Sequence, residues 1–215
     1  MIYLTSDLHG GRDLKGLEQF LSIRKAEDWL FILGDVEFHF PNTDENFSNF
    51  FESLQCNIAF IDGNHENFDY LYGLPEEDWN GGRIHRVSDR IVHLMRGHIF
   101  HIEGKSFLTM GGCVSSKRWK DSGLWWPQEN PTADEIRLAY QNLEQHNNRV
   151  DYVLTHKYRK EGVELSPDAD SFSLDGFMYY VDQNVSFQHW YAGHWHKNSC
   201  MDPKHTLVFN ELIHI

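Results

Sequence analysis

Aspartate, asparagine and histidine recur in this 215-residue sequence in five short clusters, each directly after an apolar run of strand length. Ile2-Tyr3-Leu4-Thr5 leads into Asp7 and His9, Trp29-Leu30-Phe31-Ile32-Leu33 into Gly34-Asp35, and Ile58-Ala59-Phe60-Ile61 into Gly63-Asn64-His65-Glu66. Farther on, Tyr152-Val153-Leu154 leads into His156, and Trp190-Tyr191-Ala192 into Gly193-His194-Trp195-His196. Apolar runs that break into polar side chains, three of the five through a glycine, read as the carboxyl ends of buried strands. In open α/β sheets, ligands sit in the crevice beyond those ends, so clusters far apart in sequence can converge on one site.

Together they offer Asp7, His9, Asp35, Asn64, His156, His194 and His196 as oxygen and imidazole donors, without a thiolate. Such a set suits borderline divalent ions, manganese first and then iron or zinc, better than calcium, which takes oxygens only. His194 and His196 would face opposite ways on a strand, but a turn after Gly193 lets both reach one centre. Seven donors exceed one tetrahedral site and fit two ions that share a bridging carboxylate, with positions left for water and substrate. Two divalent cations, two aspartates and a bridging hydroxide leave the pocket at about +1, positive although the whole chain carries −13. Two metals roughly 3.5 to 4 Å apart clamp the attacking and leaving oxygens of an in-line phosphoryl displacement.

The elements that must hold these clusters follow from the hydrophobic pattern. Leu14, Leu17, Leu21 and Ile23 have near-helical spacing and predict a crossover helix between the first two strands. A loop at Pro41 then leads to Asp44 as N-cap of a helix carrying Phe47, Phe50, Phe51 and Leu54. After a short helix within 66–72, Pro75 and Gly81-Gly82 mark a loop, and strand-like pieces at 90–94, 99–102 and 106–110 suggest a second sheet. Gly111 to Pro131 lacks a period and reads as an ordered loop with aromatic anchors. Thr132 with Glu135 forms a capping-box pattern for a helix to about His146, and 150–154, 187–192, 198–201 and 206–212 supply further strands. The stretch 161–180 reads as a loop with a helical piece. One domain spanning 1–215 is expected, of α/β class.

Composition narrows the function. The 19 Lys and Arg against 32 Asp and Glu, with no basic block, argue against unassisted nucleic-acid binding and leave a nucleotide substrate open. No apolar run reaches the length of a membrane span, and Met1 leads at once into a strand rather than a leader. Cys56, Cys113 and Cys200 include no Cys-x-x-Cys pair, so reduced thiols and a cytoplasmic location are expected. Nothing in the chain speaks to its oligomeric state.

Asp7-Leu8-His9, Gly34-Asp35, Gly63-Asn64-His65-Glu66, His156 and Gly193-His194-Trp195-His196 resemble, in order and spacing, the motifs of the calcineurin-like metallophosphoesterases. The resemblance spans nearly the whole chain. It implies a two-sheet sandwich flanked by helices and a dinuclear hydrolase acting on small phosphate esters, mono- or diesters. It further implies that Asp7, His9, Asp35 and His196 hold one ion and Asp35, Asn64, His156 and His194 the other, with Asp35 as bridge. His65 would stand beside the leaving group as the catalytic residue, donating a proton to it or holding the phosphate.

Serine/threonine phosphatases of this superfamily continue Gly-Asp-x-x-Asp-Arg-Gly, whereas this chain reads Gly34-Asp35-Val36-Glu37-Phe38-His39-Phe40. The carboxylate that orients the equivalent of His65 and the phosphate-binding Arg are missing there, with Glu37 as a neighbouring substitute. The segment from Gly111-Gly112 through Trp125-Trp126-Pro127 is similar to the small bacterial and phage branch. That leaves a second class of function open, a metal-binding scaffold of the same fold that acts in protein interaction without turnover.

Other residues have plainer readings. Glu66 reads as a cap on the following helix, favoured by the N-terminal dipole. The other nine histidines, His39, His85, His98 and His189 among them, read as surface or hydrogen-bonded residues. Trp119, Trp125 and Trp126 read as packing anchors. Lys117 and Arg118, adjacent cations in a segment expected over the cleft, are either solvated charges or contacts to a non-reacting phosphate oxygen.

Overall fold

The computed structural model of the chain describes residues 1–11, 25–40 and 45–215. The expected crossover helix on Leu14 to Ile23, the loop at Pro41 and the Asp44 cap lie outside the described residues. In chain order come β1 (Ile2–Thr5), β2 (Trp29–Leu33), α1 (Glu45–Ser53), β3 (Asn57–Ile61), α2 (Phe68–Leu71), β4 (Glu76–Trp79), β5 (Gly82–Arg86) and β6 (Ile91–Leu94). Then follow β7 (Ile99–Ile102), β8 (Lys105–Met110), α3 (Lys117–Lys120), α4 (Ala133–Gln145), β9 (Tyr152–Thr155) and α5 (Leu174–Asn184). The last elements are β10 (His189–Ala192), β11 (Ser199–Asp202), β12 (His205–Leu207) and β13 (Ile213–His214).

Among the described residues these strands form two sheets, ordered β13-β1-β2-β3-β6-β5-β4 and β11-β12-β10-β9-β8-β7. In each, four neighbouring strands run parallel: β1, β2, β3 and β6 in the first, β8, β9, β10 and β12 in the second. Parallel strands are covered on both faces, which is why β2 is apolar throughout rather than alternating.

Its side chains nonetheless divide by period two. Phe31 and Leu33 join Leu4, Ala59 and Ile61 against Phe107, Tyr152 and Leu154 of the other sheet, while Leu30 and Ile32 pack with Phe47, Phe51 and Leu54 on the outer face. On the far face of the second sheet, Val153 and Trp190 pack under Ile136, Ala139 and Leu143 of α4 and Phe177, Met178 and Val181 of α5. The layers are therefore helix, sheet, sheet, helix, the α/β sandwich expected.

Several expectations shift. The loop read around Gly81-Gly82 is a hairpin, with Glu76 paired to His85 and Trp79 to Gly82. Its first strand, Glu-Glu-Asp-Trp, lies on a sheet edge where charge is tolerated, so composition hid it. The piece at 90–94 belongs to the first sheet beside β3, and the second sheet begins only at β7. The stretch expected as a loop with a helical piece ends in α5, which runs to Asn184 behind an N-cap in which Ser173 accepts from Gly176 N–H. The long segment 111–131 carries the single-turn helix α3.

Candidate metal centre

The polar clusters leave the parallel strands at one end of both sheets, and backbone bonds stitch the departing loops together. Asp7 N–H donates to Gly34 O at 3.1 Å and His9 N–H to Asp35 O at 2.9 Å, so the loop after β1 rides on the loop after β2. Across the sheets, Gly112 N–H donates to Asp62 O at 2.9 Å, and His194 N–H to the Asp7 carboxylate at 2.9 Å. That close approach requires glycine at 193, because a Cβ there would collide with the Ser6 hydroxyl and the Asp7 carboxylate.

Five of the seven candidate ligands, Asp7, His9, Asp35, His194 and His196, have positive φ, between 47° and 71°. L-residues adopt this region at a cost, and its concentration here is the strain that functional sites store. The geometry turns these side chains inward from chains that are leaving the sheet.

Asp7, His9, Asp35 and His196 each place one donor atom within 4.8 Å of all the others. His9 Nε2 lies 2.8 Å from His196 Nε2 and 3.8 Å from Asp35 Oδ2, and His196 Nε2 lies 3.4 Å from Asp7 Oδ1. Two imidazole nitrogens at that separation need a shared proton or a cation between them. His9 Nδ1 faces Glu37 Oε1 at 3.0 Å, and since a carboxylate only accepts, Nε2 is left with the lone pair that a metal takes. His196 is exposed, and its ring is held by stacking on Phe209 at 4.8 Å.

Asp35 also faces the other way. Its Oδ1 lies 3.4 Å from His156 Nε2, which in turn lies 3.2 Å from Asn64 Oδ1. His156 Nδ1–H donates to Leu33 O at 2.7 Å, so its Nε2 too carries a lone pair directed at the site. Asn64 Nδ2–H donates to Ser115 Oγ at 3.1 Å, which turns the amide oxygen inward. His194 packs ring to ring with His156 at 5.2 Å, while its Nε2 lies 3.5 Å from Cys113 Sγ. The donors thus form two groups that meet at one carboxylate.

The electrostatics fit cations. Burial lowers His9, but Glu37, Asp35 and Asp7 outweigh it and hold the imidazole above its ordinary value. His196 is raised by its bond to Asp7. Burial would raise Asp35, yet His156, His65 and His9 hold it low. Burial drives His194 down to about 4, leaving it neutral and able to ligate. Buried carboxylates that draw protons onto adjacent imidazoles, with mixed N and O donors, suit a borderline divalent ion.

A cleft of about 690 Å³ opens over this floor, lined by His9, Asp35, Asn64, His65, His194 and His196 on one side and by Val114, Ser115, Ser116 and Trp119 on the other. His65 N–H donates to Asp35 Oδ1 at 2.8 Å, and its ring packs against Trp119 at 4.4 Å. Among the described residues the imidazole itself makes no hydrogen bond to protein. Burial keeps it below its ordinary pKa, hence neutral. Glu37 is therefore not the missing orienting carboxylate; it serves His9. Lys117 and Arg118 are exposed on α3 and are not among the residues that line the cleft.

Glu66 does not cap the next helix, where Asn67 accepts from Tyr70 N–H. Its buried carboxylate instead accepts from Val36, Glu37 and Gly63 N–H, clamping the loop after β2 to the turn after β3. Sequence reasoning also missed Asp62, which Arg96 and His93 bind from behind the Gly63-Asn64 turn. Neither role has a sequence signature, because both depend on which loops touch.

A comparison with curated proteins finds no match. Among solved structures, the chain is similar to "The Crystal Structure of the Protein of Unknown Function AQ665 from Aquifex aeolicus", with 17% identity, a TM-score of 0.42 and 87% of each chain covered. Among families, the one described as "Metallophos: Calcineurin-like phosphoesterase" matches over residues 1–198. The chain, with a candidate metal cluster at its strand ends, therefore belongs to the calcineurin-like phosphoesterase family, metal-dependent hydrolases of phosphoesters.

Proposed function

We propose that the chain is a dinuclear hydrolase of small phosphate esters that prefers diesters, using two divalent transition-metal ions, manganese before iron or zinc. The observation that carries the reading is Asp35, whose Oδ2 faces His9 and whose Oδ1 faces His156, so that one carboxylate lies between the two groups of donors and would be shared by both ions. Asp7, His9 and His196 would complete one site, and Asn64, His156 and His194 the other. When bound, such ions polarise the phosphoryl oxygens and lower the pKa of an attacking water.

The remaining work falls to the chain. Glu37 and Leu33 O hold the Nδ1–H groups of His9 and His156, so that in each ring Nε2 is the nitrogen turned to the site. His65, on the cleft wall, would hydrogen-bond the phosphate through its ring N–H or, in its imidazolium form, pass a proton to the departing oxygen and be left neutral. Diester preference rests on charge: among the described residues, no Lys or Arg lines the cleft. Two divalent ions less two aspartates and a bridging hydroxide would leave about +1, which matches a singly charged diester more closely than a dianionic monoester. A nucleotide is compatible with this, and the three cysteines without a Cys-x-x-Cys pair support a cytoplasmic setting.

The test is metal analysis followed by hydrolysis of bis(p-nitrophenyl) phosphate and p-nitrophenyl phosphate with added manganese. Two ions per chain and a higher kcat/KM for the diester are expected. Full loading without turnover of either would instead favour the non-catalytic scaffold, which the lack of the usual orienting carboxylate in Gly34-Asp35-Val36-Glu37-Phe38-His39 permits. Failure to bind metal would sink both.

A further inference from the structure

We infer that Val114 and Trp119 form a subsite for a planar aromatic ring attached to the phosphate, an inference that rests on the phosphoesterase reading above. Val114 is 56% exposed, one of few large apolar side chains left open to solvent among the described residues, and it lies on the cleft wall. Trp119 is half-buried on the same wall, and its indole meets the His65 ring at 77° with centroids 4.4 Å apart. Among the described residues it packs into none of the three apolar cores, and the ring it meets is that of His65.

The wall has a built backing. His65 lies 6.3 Å from Phe40, and Phe40 lies 5.7 Å from Trp126, whose indole N–H donates to Asp69 at 2.9 Å. Ser115, between the two apolar residues, is tied to Asn64 and so fixes this wall relative to the metal floor. The cleft of about 690 Å³ is far larger than a phosphate group and lies within the range of roughly 300 to 1,000 Å³ typical of sites for drug-sized ligands. A phosphate held on the polar floor with its substituent on the His65 side puts that substituent against the indole. An aromatic ring there covers exposed apolar surface and stacks, whereas a small alkyl group leaves both residues wet.

Phosphonates test this without turnover, since their P–C bond is not an ester. Calorimetric titration of manganese-loaded protein with phenylphosphonate should show binding roughly 5- to 100-fold tighter than with methylphosphonate, the range of a single aromatic stack. Trp119→Ala should erase that preference while leaving methylphosphonate affinity, metal content and melting temperature near wild type. Val114→Asp, at an exposed position that cannot unfold the chain through packing, should reduce it as well. Equal affinity for the two probes in the wild type, a preference that survives Trp119→Ala, or hexylphosphonate binding as tightly as phenylphosphonate each overturns the aromatic subsite. If methylphosphonate and inorganic phosphate both fail to bind the metal-loaded protein, the phosphoesterase reading falls first and takes the subsite with it.

Discussion

The Glu37 carboxylate accepts the Nδ1–H of His9 at 3.0 Å, with both residues buried at the carboxyl ends of adjacent strands. The pair fixes which His9 nitrogen faces the site, and it distinguishes the two groups of donors, because His156 is fixed independently by Leu33 O. Removing an outer partner of a ligating histidine typically costs 10- to 100-fold in metal affinity, so Glu37→Gln should weaken one ion by roughly that factor and spare the other. A manganese titration of wild type and variant decides it. Equal weakening of both ions would place Glu37 at the bridge rather than behind one ligand.

Asp35→Asn makes the complementary case. Its two oxygens face different imidazoles, so one substitution should weaken both ions together and abolish most turnover. The same titration, read for stoichiometry, separates the two variants. Retention of two ions at wild-type affinity would remove Asp35 as the shared ligand.

Much of this site is legible in the sequence because its ligands sit at ends of apolar runs, and in parallel sheets such ends share one side of the molecule. The strands carrying Asp7, Asp35, Asn64, His156 and His194 all follow from that pattern. What the sequence hides is pairwise and tertiary. Glu37 looks like a substitute for a residue next to His65, and only the left-handed turn at Glu37, φ 64°, directs it to His9 instead. Glu66 looks like a helix cap because caps are local, while its actual partners at 36 and 37 are about 30 positions away. The β4 strand is missed because an edge strand has no need of apolar residues.

His65→Ala should keep both ions yet lose turnover, since among the described residues its ring makes no hydrogen bond to protein and is no part of the tight donor cluster. General acid catalysis contributes roughly 10²- to 10⁴-fold. If His65 supplies the proton, the deficit should grow as the leaving group becomes a stronger base; p-nitrophenolate departs with little help. An equal deficit for good and poor leaving groups would assign His65 to holding the phosphate.

Lys117→Ala with Arg118→Ala is expected to change little. Both side chains are exposed on α3 and outside the cleft lining, where charges are well screened. Michaelis constants for phosphate esters within about twofold of wild type are the expected result. A clear rise in KM with metal content unchanged would bring the Lys117 and Arg118 side chains into contact with bound substrate.

The last prediction concerns the support beneath Asn64. Asp62 and Arg96 are both buried, with Arg96 Nε donating to Asp62 Oδ2 at 2.9 Å and Arg96 also reaching Gln128 O at 2.7 Å and Glu135. His93 adds a bond to Asp62 Oδ1 at 3.1 Å. Burial alone would raise the Asp62 carboxyl, but Arg96 and His93 outweigh it and hold it well below the carboxylate range. A folded-state value below the unfolded one, about 3.9, means the contribution to stability is present above that pH and is lost as pH falls toward the folded value. Metal-free wild type should therefore lose stability steeply below about pH 4, and Asp62→Asn should lose less in that window. At neutral pH the variant should be destabilised by roughly 3 to 5 kcal/mol, because the Arg96 charge is left buried without its partner. Denaturant titrations of both proteins at neutral and acid pH measure the two effects. Parallel acid profiles together with a neutral-pH loss under about 1 kcal/mol, the worth of an exposed pair, would show that Arg96 finds compensation in Glu135 and that Asp62 is not what anchors the turn under Asn64.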